Sequence, residues 1–141
     1  MIQSAARMTL RPVRHIAVGI RRSYAEVYAF LAQPENFPKW ASGLGHSFHH
    51  RAGFEWVAET PLGIMAIRFS EPNEFGVLDH WLLPETGAPM HNPMRAFPAG
   101  DGTEVVFSLV QRPELSDEEF ARDAEWVAKD LAALKALLDV A

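Results

Sequence analysis

The sequence predicts an α+β fold: an antiparallel sheet of about seven strands packed against one long C-terminal helix, with two short helices after the first strand. Three observations carry this reading. The last 26 or so residues hold a one-sided apolar stripe at helical spacing behind a capping signal. Between Gly45 and Gln111 the chain breaks into strand-length runs separated by turn residues at intervals of about 8–12. Ahead of those runs lies a strand followed by a Ser-capped helical segment.

At the amino end, residues 1 to about 12 read as a loosely ordered leader, and residues 13–141 as one domain. The first 25 residues contain Arg7, Arg11, Arg14, Arg21 and Arg22 and no acid, a bias shared with transit peptides. No long apolar segment follows them, and the basic stretch runs straight into a strand pattern. From His15 to Arg21, Ile16, Val18 and Ile20 alternate with His15, Ala17 and Gly19, a period of two. Ser23 and Glu26 have capping-box spacing, and Tyr24, Val27, Tyr28 and Leu31 continue at helical spacing. A second short helix fits PENFPKW, with Pro34 in the first turn and Pro38 limiting its length.

The expected strands are His46–Arg51, Phe54–Thr60, Ile64–Ser70, Gly76–Leu83, Met90–Pro98 and Thr103–Gln111. Their connections are Ala52-Gly53, Pro61-Leu62-Gly63, Glu71-Pro72-Asn73, the Pro84–Pro89 loop and Gly100-Asp101-Gly102. Most are hairpin-sized, so neighbours should pair antiparallel. Pro93 marks a bulge or an edge contact, because it brings no backbone N–H to a ladder. The final helix is expected from Ser116 to about Asp139. Ser116 and Glu119 form a capping box, and Asp117, Glu118 and Glu119 place negative charge at the positive end of the helix dipole. At 100° per residue, Phe120, Ala124, Val127, Leu131, Leu134 and Leu138 fall in one sector. Trp126, Ala133 and Leu137 form a second patch roughly 110° away, which is expected to be covered by the strand ends or the leader, with a homodimer contact through Trp126 and Leu137 as the alternative.

Composition narrows the function. A net charge of −5 argues against sequence-independent nucleic-acid binding, which needs clustered Lys and Arg to neutralise phosphates. With 48% hydrophobic and 22% charged residues, the chain has the composition of a globular domain. No apolar run approaches the ~18 residues that span a bilayer. Having no cysteine, the chain contains neither a disulfide framework nor a thiolate, which fits a cytoplasmic setting.

The order strand, two short helices, six antiparallel strands and long terminal helix resembles the START-like superfamily. This group is also called SRPBCC or Bet v 1-like, and includes polyketide cyclase/dehydrase and lipid-transport proteins. The resemblance covers about residues 15–139 and rests on IAVGIRRSYAEVYAFL, PENFPKW and DAEWVAKDLAALK together with that order. It implies a helix-grip fold, in which a curved sheet wraps around the terminal helix and a cavity lies between them.

Strand parity then selects the residues that face such a cavity. Val105, Phe107 and Leu109 share one face of the last strand, and Met65, Ile67 and Phe69 share one face of theirs. Trp56 shares its face with Phe54 and Ala58. The expected ligand-binding set is Trp40, Trp56, Phe69, Phe107, Tyr24, Tyr28 and His91, with Val127 and Leu131 on the helix above. Asp79 and His80 are adjacent on a strand, so only one of them can face inward, and either is a candidate acid or base. His46, His49 and His50 cluster without a nearby carboxylate, and no metal or other cofactor is expected. Arg68 and Arg95 are possible clamps for a ligand carboxylate.

The expected function is binding of a hydrophobic or aromatic small molecule. One alternative is a cyclase/aromatase-like or dehydratase enzyme in the same cavity, with His80 or Asp79 as acid/base and Tyr24 or Tyr28 as hydrogen-bond donor. A second is a protein-interaction module whose cavity has collapsed.

Overall fold

A computed structural model describes residues 8–44, 47–61 and 63–140. The eight strands are β1 (Val13–Ile20), β2 (Phe48–Ala52), β3 (Glu55–Thr60), β4 (Gly63–Phe69), β5 (His80–Pro84), β6 (Met90–Asn92), β7 (Met94–Ala99) and β8 (Gly102–Val110). Helix α1 spans Tyr24–Leu31, a 3₁₀ helix follows at Pro34–Lys39, and α2 spans Asp117–Leu138. All pairings are antiparallel, in two sheets ordered β1-β8-β7 and β2-β3-β4-β5-β6.

Two expected strands are each divided. Pro93 separates β6 from β7, so one expected strand serves both sheets. Within the expected strand Gly76–Leu83, only His80 onward joins β4. The preceding residues form the seam between the sheets. Val77 bridges to Arg95, the Leu78 N–H donates to the Met94 carbonyl (2.9 Å), and the Ser70 N–H donates to the Asp79 carbonyl (3.0 Å). Gly76 sits at the closest approach, with φ +68°; a Cβ there would lie 2.1 Å from the Ala96 carbonyl oxygen.

The capping box of α2 is formed as its spacing predicts. The Glu119 N–H donates to Ser116 Oγ (3.1 Å), and the Ser116 N–H donates to Glu119 Oε1 (3.0 Å). At α1 only half of the motif forms. The Glu26 N–H donates to Ser23 Oγ (3.3 Å), but the Glu26 carboxylate accepts from the Ser23 hydroxyl (3.0 Å) and from the Arg22 guanidinium (2.7 Å). Charge-assisted bonding to Arg22 outcompetes the neutral backbone donor.

Of the α2 stripe, Phe120, Ala124, Leu131, Leu134 and Leu138 are buried, while Val127 is only partly covered. The last turn is fastened to the end of β1. Arg22 Nε donates to the Leu138 carbonyl (2.6 Å), the Arg21 N–H to Asp139 (2.8 Å), and Lys135 Nζ to the Gly19 carbonyl (2.6 Å). At the other end of β1, the Gln111 N–H donates to the Pro12 carbonyl (2.9 Å), so the end of the expected leader is docked; residues 1–7 lie outside the described residues. Among the described residues no helix is long and apolar enough to cross a membrane.

Candidate functional site: a cavity between the sheet and the long helix

Across the larger sheet, register and parity define two faces. Trp56 pairs with Ile67, Ile67 with Leu82 and Leu82 with Met90, a row facing α2. Phe69, His80 and Asn92 form the next inward row. The opposite face carries Glu55, Arg68, Trp81 and His91 in register. Arg68 stacks over Trp81 (5.2 Å to the ring centroid), and Trp81 stacks on His91 (4.9 Å, 7°).

The deep end of the concave face is packed with rings. Phe37 touches Trp40, Phe48, Phe69 and His80 at centroid distances of 5.1–6.2 Å. Phe48 stacks on Trp56 (4.9 Å), and His80 contacts Phe107 (5.8 Å). Edge-on geometry dominates, as ring quadrupoles favour. Trp40, Trp56 and Phe69 therefore meet one another's neighbours, and Leu131 is 1% exposed beneath the same cluster. Phe37 and Phe48 are the members that strand parity did not supply: Phe37 comes from the 3₁₀ helix, and Phe48 from a strand whose register is shifted by a bulge near Ala52.

What the rings leave open is a cavity of about 470 Å³ at the other end of the helix. Its apolar walls are Leu82 and Met90 of the larger sheet, Phe107 and Leu109 of β8, and Val127 and Trp126 of α2. Asn92, Gln111, Arg11, Arg112 and Asp123 supply its polar edge. Of the expected ligand-binding residues, the cavity brings together Phe107, Val127 and His91. His91 borders it through its strand position, while its ring stacks on Trp81 on the opposite face. A shallower groove of about 580 Å³ near Gly19–Ser23 has cations that are already paired, Arg22 with Glu26 and Arg21 and Lys135 with Asp139.

Tyr24 and Tyr28 are elsewhere. Their rings stack (5.8 Å) on α1, and Tyr28 Oη accepts the Asn73 N–H (2.8 Å), securing the loop that leads into the seam. Asp79 and His80 divide as alternation requires. His80 faces inward and is 5% exposed; Asp79 lies on the other face. The Asp79 carboxylate accepts from the Met94 N–H (2.9 Å) and contacts His91 Nε2 (2.8 Å), spanning the break at Pro93. Burial holds the His80 imidazole neutral, lowering its pKa to about 4; the nearby Asp79 charge opposes this and His91 adds to it. Asn92 Nδ2 is 3.3 Å from His80 Nε2, which fits an amide donating to the tautomer protonated on Nδ1. Asn92 is thus, among the described residues, the one that both edges the cavity and hydrogen-bonds His80.

Arg68 and Arg95 do not reach the cavity. Arg68 covers Trp81, and Arg95 Nη2 donates to the Phe75 carbonyl (3.2 Å). His49 and His50 are exposed on β2, with His50 Nε2 2.9 Å from the Gly53 carbonyl; His46 lies outside the described residues. Among the described residues no three His, Asp or Glu side chains come together as metal ligands. Trp126 and Leu137 are 53% and 50% exposed, as their place off the main stripe predicts.

Known structures share this arrangement over most of their length. A START superfamily protein from Mycobacterium smegmatis superposes with a TM-score of 0.70 at 14% identity, covering 89% of this chain and 96% of that one. The chain has the START-like helix-grip fold. Ara h 8.0201 matches this START-like fold with a TM-score of 0.66 at 12% identity, over 89% of this chain and 96% of its own. An Aha1 dimer from Colwellia psychrerythraea matches with a TM-score of 0.69 at 13% identity, over 92% and 97%. No protein-family profile matches the chain, and no curated protein matches its sequence.

Proposed function

We propose that this START-like chain binds a hydrophobic or aromatic small molecule in the cavity between β5–β6, β8 and α2. The observation that carries the reading is the incomplete burial of Val127. It belongs to a stripe whose other members are buried, and it borders a space of about 470 Å³ walled by Leu82, Phe107 and Leu109. A volume of that size falls within the range of about 300–1,000 Å³ typical of small-molecule sites. Binding is favoured over catalysis because the inward acid/base candidate, His80, sits behind Asn92 and Phe107, and Asp79 lies on the other face. A cyclase-like or lipid-transport role would use this same cavity. A cytoplasmic setting is part of the proposal, supported by the cysteine-free composition.

Native mass spectrometry of freshly purified protein tests this first, since a retained small molecule should appear as a mass increment. Val127→Trp should project a bulky ring into the space and weaken binding of the neutral probe N-phenyl-1-naphthylamine by about tenfold or more. Unaltered affinity in that variant would place the probe elsewhere and defeat the proposal.

A second reading concerns association. We infer that Trp126 and Leu137, both half-exposed on α2, form a contact between two copies of the chain. Their exposure supports this, and a dimer is among the matching structures. Sedimentation equilibrium should show a dimer that Trp126→Ala weakens; a monomer at high concentration would refute it.

A further inference from the structure

The polar edge of the cavity assigns a charge to its occupant. We propose, building on the binding reading above, that the ligand is a small amphipathic anion, its acidic group held by Arg112 and its apolar body lying between Leu82, Phe107 and Val127. Arg112 lies two residues past the end of β8, where the chain turns towards α2, and stands at the cavity mouth. Its neighbours leave the guanidinium poorly matched. Nη1 donates to the Met90 thioether, a weak acceptor, and the nearest carboxylate is Glu114 at 3.5 Å, itself 64% exposed on its side chain. The Arg112 side chain is only 35% exposed, so a partner oxyanion at the mouth would bond it in a partly desolvated setting.

The surrounding charge agrees. Arg11 reaches the same mouth, and among the described residues no acid pairs with it. Asp123 shares the rim and Glu114 stands 3.5 Å from Arg112, so Arg11 is the rim cation without an acid partner among the described residues. An unpaired arginine beside one whose acid partner is exposed favours an anion at an apolar opening over a neutral or cationic molecule of the same shape.

Two probes with one aromatic skeleton separate the charge from the greasy surface: 1-anilinonaphthalene-8-sulfonate carries an anion, and N-phenyl-1-naphthylamine does not. Arg112→Gln should weaken binding of the sulfonate by about tenfold or more, the worth of roughly one lost charge-assisted hydrogen bond, and change the neutral probe by less than about twofold. Arg112→Lys, which keeps the charge, should retain most of the sulfonate affinity, and Arg11→Gln should give a smaller loss in the same direction. Equal loss of both probes in Arg112→Gln, or unchanged sulfonate affinity, would overturn the anion assignment while leaving hydrophobic binding standing. If neither probe binds the wild-type chain, the binding reading itself fails, and the anion assignment with it.

Discussion

Replacing His80 with phenylalanine removes one titrating group from the core while keeping a ring among Phe37, Phe69 and Phe107. In the wild-type protein burial lowers the His80 pKa to about 4, whereas an unfolded histidine titrates near 6.5. Between those values the unfolded chain holds a proton that the folded chain does not, so stability rises with pH across this window. The contribution is therefore complete above about pH 6.5, falls as the pH drops towards 4, and levels off below it. At about 1.36 kcal/mol per pH unit, the loss between pH 7 and pH 4 is on the order of 3 kcal/mol. Urea unfolding at a series of pH values, for wild type and His80→Phe, isolates this from the carboxylates common to both. The wild type should lose about 3 kcal/mol more than the variant between pH 7 and pH 4. Parallel curves would show that His80 titrates normally and that its burial does not exclude the charged form. The substitution leaves the Asn92 amide without its ring partner, but Asn92 edges the cavity, where water can replace it.

Further outcomes follow from packing and backbone geometry. Leu131→Ala, at a site 1% exposed, should cost about 2–5 kcal/mol in chemical denaturation; a cost under about 0.5 kcal/mol would mean that the α2 stripe is not the core. Gly76→Ala forces a Cβ into the Ala96 carbonyl oxygen at positive φ, so it should destabilise by more than about 1 kcal/mol, with hydrogen exchange rising first at Leu78 and Ala96, whose N–H groups bond across the seam. Ser116→Ala removes one half of the α2 capping box and should cost about 1 kcal/mol in thermal or urea unfolding, whereas an unchanged midpoint would mean that water caps the helix equally well.

The features legible in the sequence are those set by local chemistry. Ser116 and Glu119 are three residues apart and need nothing distant to form their box, and the stripe from Phe120 to Leu138 is a matter of helical period. Alternation alone put Met65, Ile67, Phe69 and Phe107 inward, because a strand residue has only two faces to choose between. The same rule separated Asp79 from His80 but could not assign a face to either, since Val77 and Trp81 compete with Leu78 and Leu82 as the apolar set. The seam at 76–79 depends on pairing with β7 almost twenty residues away, and no local pattern carries that partner. Tyr24 and Tyr28 were drawn towards the cavity by their hydroxyls, yet one of those hydroxyls is used by Asn73. Arg112 is not legible in the sequence for a related reason: it lies two residues past the end of β8, where parity lapses, and its neighbour Met90 is 22 positions away. A basic residue just past a strand whose inward face is Val105, Phe107 and Leu109 was the available signal.

The ring cluster around Phe37 has a consequence for how this chain can change over time. Because aromatic packing closes one end of the concave face and the opening lies at the other, the residues that hold the molecule together are mostly not those that would select its guest. Substitutions at Leu82, Leu109, Met90 or Val127 can reshape the opening while Phe37, Phe69, Leu131 and Leu134 keep their contacts. Phe107 is the exception, touching His80 on one side and the opening on the other. New specificity can therefore arise here with the ring cluster left in place, at a folding cost confined to the contacts that Leu82, Leu109 and Val127 make with the core.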